Sequence, residues 1–509
     1  MSLEASLSIA RSGLLYTQRA LSNAANNVAN AETEGYTRKT VAADAREAAG
    51  RGIGVRTREP TRDVDEALIG ELNARRGALA GATARERLLQ RIEMAHGRPE
   101  AGEGIGDLIS GLRRAFTELR AEPASQARQG AAIGAAETLA RRLNTVSGAV
   151  QAARQEAQDG IVAEVGTINA MLNEIADLTG RIRDTIALGL SPAELEDRRD
   201  AAIALLSESL GVAALKREDG GITLIARGGM VLPLHPRDPA FSTADASLGP
   251  PAFHGPGGTI PPILLGGNDV TGRLLGGRLA ELVALRDTTL PRFQAELDVA
   301  AASLAWRFES QGLRLFTAPD GSVPDATQPY AGSAQLGFAG TIRVNAAVTA
   351  APWLLRDGTH AVVGAPGGAS AFTPNAPGGP AGFAALLDRV LDFTFGAEAA
   401  AGAPWPSIAT GGLGPDGTLA SPFAAPPTLE GFGGVVAAAQ TAERAAASER
   451  REGAAAMKAG LEARFAQRSG VDVDAEMAAM VSLQNAYAAN AKVMATVQQM
   501  WDSLLGAVR

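Results

Sequence analysis

The sequence predicts an α+β fold, mainly α: a terminal α-helical coiled-coil pair, a long helical bundle, an inserted small β domain and a Gly/Pro-rich outer segment. Three observations predict it. All 27 prolines of the 509-residue chain lie between Pro60 and Pro427, so both ends are free to be long helices. Apolar residues recur every seven positions at each end, as on a coiled-coil seam. Between the ends, helical periodicity gives way near residues 212 and 313 to short runs broken by glycine and proline. The expected division is 1–50 with 470–509 for the terminal coiled coil, 51–211 with 275–312 and 435–469 for the bundle, 212–274 for the β domain, and 313–434 for an outer segment whose fold the pattern leaves unassigned.

The first seam reads Leu7, Leu14, Leu21 and Val28, interleaved with Leu3, Ala10, Thr17 and Ala24. Ser2 is the expected cap, and Gly35 can supply the positive φ that turns the chain after the helix, before an extended Tyr36–Val41. The second seam reads Met480, Tyr487, Met494, Trp501 and Val508, interleaved with Leu483, Asn490, Val497 and Leu504, with Asp472 or Asp474 as its cap. Residues 1–31 carry only Glu4, Arg11 and Arg19, and residues 475–508 only Glu476, Lys492 and Asp502. Ser, Thr, Asn, Gln and Ala take the place of a charged stripe, and such faces can be buried between subunits without stranding a charge. Periodicity alone leaves open an assembly interface or an Ala-rich coiled coil within a monomer.

From Pro60 to Leu210 the helical pattern has few breaks, which reads as a bundle. Ile222–Ala226 and Met230–Leu232 are strand candidates, a long helix returns at Gly277–Gln311, and the last bundle helix covers about Val435–Gln467. In the outer segment, Thr341–Val344 reads as a strand and Phe383–Phe395 as a helix.

Composition narrows the chemistry. With 47 Lys and Arg against 55 Asp and Glu, the net charge is −8 and no basic field exists to attract nucleic acid. Cysteine is absent, which removes disulfides, thiolate metal sites and cysteine nucleophiles. The four histidines, His96, His235, His254 and His360, are scattered; His96 and Glu100 are four apart, but Pro99 interrupts their helical spacing. Gly412, Gly414 and Gly417 match a G-x-G-x-x-G string, yet Pro415 and Asp416 make it a run of turns. Glu194, Glu196, Asp197 and Asp200, beside Arg198 and Arg199, read as a solvated, salt-bridged helix face. No catalytic, cofactor-binding or metal-binding constellation emerges, and no run is long and apolar enough to span a membrane. The opening residues, with Glu4 and no basic residue before Arg11, do not look like a cleavable secretory signal.

Asn26-Asn27-Val28-Ala29-Asn30 followed by Thr33, Gly35, Tyr36 and Arg38 closely resembles the N-terminal signature of the bacterial flagellar axial proteins, the rod, hook and hook-associated subunits. Ser469-Gly470-Val471, Asp474, Glu476, Gln484, Ala486-Tyr487, Ala489-Asn490-Ala491, Val493 and Leu504-Leu505 resemble the closing helix of that family. The bundle after the signature, with Glu118–Pro123, Leu195–Asp200 and Gly277–Leu282, is similar to the hook-associated branch rather than to rod or hook subunits. The resemblance covers roughly residues 1–310 and 430–509. It implies a non-enzymatic structural subunit between hook and filament, exported by the flagellar type III route without a cleaved signal and located outside the cell. Its implied partners are copies of itself, the hook protein, the second junction protein and an export chaperone. The assembly residues it implies, together with the seams, are Leu7, Leu14, Leu21, Val28, Asn26, Asn27, Asn30, Gly35, Tyr36, Met480, Leu483, Tyr487, Asn490, Met494, Val497, Trp501 and Leu504. Another axial subunit such as the hook protein, or an axial scaffold carrying an enzymatic insert in 212–272 or 313–430, are the alternatives.

Overall fold

The computed structural model describes residues 3–33, 35–48, 50–98, 101–234 and 239–507. Ser2, Pro99, Glu100, His235 and Val508, each used in a sequence expectation, lie outside them. The fold is α+β and mainly α, as the sequence predicts.

Helix α1 (Leu3–Ala29) opens the chain, followed by β1 (Lys39–Thr40), the hairpin β2 (Ala43–Ala48) and β3 (Arg51–Thr57), and β4 (Thr61–Arg62), which pairs with β1. The hairpin spans 43–57, so the boundary expected at 50/51 falls between two hydrogen-bonded strands. Four bundle helices come next: α2 (Glu66–His96), α3 (Ile105–Ala121), α4 (Gln126–Ala187) and α5 (Ala193–Ser209). Asp65 caps α2 by accepting from the N–H groups of Ala67 and Leu68. With 62 residues, α4 is roughly 90 Å long and forms the spine of the molecule. Its buried line Leu139, Leu143, Val146, Val150, Ala153, Ala157, Ile161, Val165, Ile168, Leu172 and Ile175 keeps the i, i+3, i+4 pattern of one face.

The β insertion comprises two antiparallel three-stranded sheets. In the first, β6 (Ile222–Ala226) lies between β5 (Val212–Lys216) and β7 (Val231–Leu232); in the second, β9 (Leu264–Leu265) lies between β8 (Phe241–Ser242) and β10 (Asn268–Asp269). Helices α6 (Gly277–Ala284) and α7 (Leu290–Ser310) then run on through a wide π turn at Leu285–Thr289. The turn precedes Pro291, which has no N–H to continue the ladder. The outer segment holds β11 (Phe316–Thr317) paired with β12 (Arg343–Val344), the short helices α8 (Ala346–Ala350), α9 (Leu354–Asp357) and α10 (Ala385–Arg389), and the pair β13 (Glu398–Ala400) and β14 (Ala403–Pro404). Two helices close the chain, α11 (Leu429–Ser469) and α12 (Val473–Ala507).

The outer segment is not a detached appendage. Its Val348, Leu355, Leu386, Leu387, Val390 and Phe395 share one continuous core with the bundle, where Phe308 meets Phe116, Phe316 and Phe395 at ring-centroid distances of 5.6–5.7 Å. Much of it lacks regular structure, so its backbone groups need partners of another kind. Buried helix side chains supply them. Arg307 donates to the carbonyls of Gly396 and Pro427, and Asn144 to those of Ala339 and Ile342. Asp298 accepts from the N–H groups of Gly337 and Ala339. The β insertion is tethered likewise, by Arg154 to the carbonyls of Gly249 and Ala252 and by Asn169 to both backbone groups of Phe241. Burial without a carboxylate partner lowers the Arg307 guanidinium to about 10.

Candidate assembly interface

The two ends of the chain meet as an antiparallel helix pair. Leu3 lies beside Met500 and Leu504 at one end, Gly13 faces Asn490 in the middle, and Arg38 reaches Glu476 at the other end. A Cβ on Gly13 would sit 3.1 Å from the Asn490 amide atoms, so the absent side chain lets the helices approach. On an adjacent side of α1 the hairpin is clamped at one point. Ser12 Oγ accepts from the Val55 N–H at 3.1 Å, and a Cβ on Gly54, whose φ is +121°, would lie 2.3 Å from that oxygen.

Within the pair the expected seam is displaced. The buried residues of α1 are Ala10, Thr17, Ala20, Ala24 and Asn27, so the line of small residues lies at the centre and Leu7, Leu14, Leu21 and Val28 are half-buried on its flank. On α12, Val497 is buried; Met480, Leu483, Asn490, Met494 and Trp501 are half-buried. Tyr487 and Leu504 are 41% and 51% exposed, and Ala486 turns inward in place of Tyr487. Both lines of α1 keep the sevenfold spacing, and the one with the smaller side chains is buried, in keeping with the close approach of α12 at Gly13. The outer surface of the pair exposes Leu15, Met477, Val481, Val493, Met500 and Leu505 with few charges.

The signature residues form the joint between this pair and the bundle. Gly35, at φ +78°, reverses the chain so that Tyr36 folds back on α1. Asn27 is fully buried: its Nδ2 donates to the Lys39 carbonyl at 2.9 Å, and its Oδ1 accepts from the Lys39 N–H at 3.2 Å and the Tyr36 hydroxyl at 2.9 Å. Asn26, exposed, donates to the Tyr36 hydroxyl and to Glu194. Asn30 donates to the Asn26 carbonyl at 2.9 Å and ends the helix. The Lys39 ammonium lies 3.3 Å above the Tyr36 ring centre and 2.6 Å from Asp197 of α5. Burial, reinforced by Glu194, Asp197 and Glu476, pushes the Tyr36 hydroxyl up to about 12, so it stays a donor at neutral pH.

Here the reading of the α5 carboxylates needs correction, because Asp197 is only 7% exposed and is no solvated surface group. It accepts from Thr37 Oγ1 at 2.6 Å and faces Arg62 Nε at 3.2 Å, while Arg62 also pairs with Asp200 at 2.5 Å. Burial opposes the Arg62 charge, but Asp200, Asp197 and Glu196 outweigh it and raise its pKa. Arg38 ties in the C-terminal side through Glu476 at 2.6 Å and through its N–H to the Ser469 carbonyl at 2.9 Å. Thr37, Lys39, Arg62 and Asp197 are thus joint residues that sequence reasoning missed. One signal pointed that way: the chain has only four lysines, and one directly follows the signature.

Among the described residues no group of three or more His, Asp or Glu side chains could hold a metal ion, and no helix is long and apolar enough to cross a membrane.

Three family models match in sequence order: "Flagella basal body rod protein" at residues 7–37, "Flagellar hook-associated protein FlgK helical domain" at 89–318, and "Flagellar basal body rod FlgEFG protein C-terminal" at 463–507. The rod-type matches fall on α1 with the signature and on α12, the two helices that pair. Along these three stretches the chain is similar to the flagellar axial protein family. Within it, the chain stands with flagellar hook-associated protein 1. That protein from Salmonella typhimurium is 29% identical over 236 residues, covering 44% of this chain and 41% of the relative; the Escherichia coli protein is 28% identical over 221 residues, covering 42% and 40%. The Bacillus subtilis protein is 25% identical over 241 residues, covering 44% and 46%. The matched region thus spans less than half the length of these relatives. The flagellar hook junction protein FlgK from Burkholderia pseudomallei overlaps in structure with a TM-score of 0.42 at 22% identity, covering 49% of this chain and 46% of that one. The relatives are named for a place in the flagellum and not for a reaction.

Proposed function

We propose that this chain is a structural subunit at the junction between flagellar hook and filament, held in place by its α1–α12 pair. One observation carries the reading: the rod-type ends form a helix pair whose outer surface is apolar and poor in charge, joined to a hook-associated bundle. An exposed apolar face of that length calls for a cover. Copies of the same chain and the adjoining axial proteins, the hook protein and the second junction protein, are the proposed cover. Of the seam and signature residues set out above, from Leu7 to Tyr36 and Met480 to Leu504, those left exposed or half-buried are the proposed assembly surface, and the buried Asn27 and Val497 are proposed to hold the joint and the pair that present it. An extracellular position, export without a cleaved signal and escort by a chaperone complete the proposal, and no catalytic role is part of it.

Deletion of the gene tests it. Cells lacking the chain should build hooks without attached filaments and release filament subunit into the medium. Normal filaments on such cells would refute the junction role. Leu14→Asp and Leu483→Asp place a carboxylate on the half-buried flank of the pair and should abolish complementation, because assembly would strip its water without giving it a partner.

A further inference from the structure

The terminal pair is electrically polar along its length. The hairpin lies along α1: Glu59 just beyond its base pairs with Arg19 at 2.6 Å, Gly54 meets Ser12 and Ile9, and its tip therefore lies toward the start of α1. Arg46, Arg51 and Arg56 are exposed and make no ion pair among the described residues, whereas Arg58 is taken by Asp44 at 2.7 Å. Glu4, Glu47 and Asp502 share that end, also without ion pairs among the described residues, so cations exceed carboxylates there once Arg11 is counted. Sequence charge shows the same bias, with nine Lys and Arg against six Asp and Glu in residues 1–62 of a chain that is acidic as a whole.

At the other end, Asp472 just before α12 and Val473, Asp474 and Met477 at its start are exposed. Asp472 accepts from the Ala475 N–H, Asp474 has no ion-pair partner among the described residues, and Glu32 is exposed on the last turn after α1. Ser12 neighbours Gly13, which faces Asn490, and sixteen residues of helix separate Asn490 from Asp474. That is roughly 24 Å, well beyond the reach of an arginine at the hairpin tip, which points the opposite way. The opposite charges cannot neutralise one another within one molecule. Between two molecules stacked in the same direction they can.

We infer that the arginine-bearing hairpin of one copy docks on the acidic first turn of α12 in a neighbouring copy. Such a contact is heterologous, head to tail, and propagates around a ring or along a helix instead of closing as a twofold dimer. It rests on the proposed assembly of copies and adds to it which surfaces meet.

The absence of cysteine provides a clean test. Two forms of the full chain are co-produced in a strain lacking the native gene, one carrying Arg51→Cys and the other Asp474→Cys, and isolated flagella are treated with a short flexible bis-maleimide. A product of twice the chain mass should appear, and should be absent when Asp474→Cys is paired with a Val363→Cys chain, whose cysteine sits exposed on the outer segment. Arg51→Glu and Asp474→Arg should each lower the number of filamented cells at least tenfold, and the two changes in one chain should restore it. Normal flagella without the crosslink, or charge reversals with no effect, would overturn this docking while leaving the junction role intact. A strain that grows normal filaments without the chain would overturn the junction role itself.

Discussion

Lys39 and Asp197 are 158 residues apart in the chain and 2.6 Å apart in space, with solvent almost wholly excluded from both. The contact joins the segment after α1 to the bundle helix α5, and Thr37, Arg62, Glu194 and Tyr36 complete its surroundings. A buried pair of this kind gains little over well-packed apolar residues, but removing one member leaves the other charge stranded.

Asp197→Asn should therefore be costly, by about 3–5 kcal/mol, since it deprives Lys39, Arg62 and Thr37 of a common acceptor. Lys39→Met should cost less, because Arg62 still faces the carboxylate. Denaturant unfolding of the two single variants and the double variant checks this ranking, and the double should cost less than the sum of the singles. Equal, small effects would mean that the joint is held by something else.

The contact of Gly13 with Asn490 makes the helix pair testable without introducing charge. Alanine is favoured over glycine in a helix by about 1 kcal/mol, but here its Cβ would press on the Asn490 amide. Gly13→Ala should yield the full gain only in an Asn490→Ala background. Thermal unfolding of the four proteins measures the coupling, and identical gains in both backgrounds would separate the two residues.

Asp298 offers a pH dependence. It is fully buried, and desolvation pushes its carboxyl up to about 6 despite bonds from Gly337, Ala339, Tyr330 and Gln294. A folded pKa above the unfolded value of about 3.9 means the group contributes most to stability below pH 4 and loses that contribution as pH rises through 6. Relative to Asp298→Asn, the native chain should lose stability between pH 4 and pH 6.5 in denaturant titrations. A difference that stays flat across that window would contradict the assignment.

Proteolysis of the monomer should remove the ends first. Among the described residues of α12 only Glu476 and Val497 are buried, whereas α7 is buried along nearly its whole length. Brief digestion followed by mass spectrometry should lose roughly residues 1–50 and 470–509 and retain the bundle. Cleavage of the bundle ahead of both ends would reverse this order.

Elements governed by local pattern were legible in the sequence. Proline-free ends and sevenfold spacing located α1 and α12, and the line Ala10, Thr17, Ala24 was visible as one of two candidates. Its central position was not, because that depends on how closely Gly13 lets α12 approach. Asp197 was misread for a related reason: on α5 it stands among five other charged residues, and only partners about 160 and 135 residues upstream take it out of water. The outer segment was illegible because Arg307, Asn144 and Asp298 stabilise it from distant helices, and bonds from one side chain to a remote carbonyl leave no period in the sequence.

The pairing of α1 with α12 also places a clock on synthesis. Gly13 leaves the ribosome 477 residues before Asn490, a wait of roughly 25–95 s at typical elongation rates of about 5–20 residues per second. Throughout that interval α1 is made and its partner is not. A first helix rich in leucine on all sides would be a hazard for so long, whereas one built on alanine, serine, threonine and asparagine can stay hydrated and uncommitted. The small residues that let two helices meet closely at the end are also those that let the first wait safely for the second.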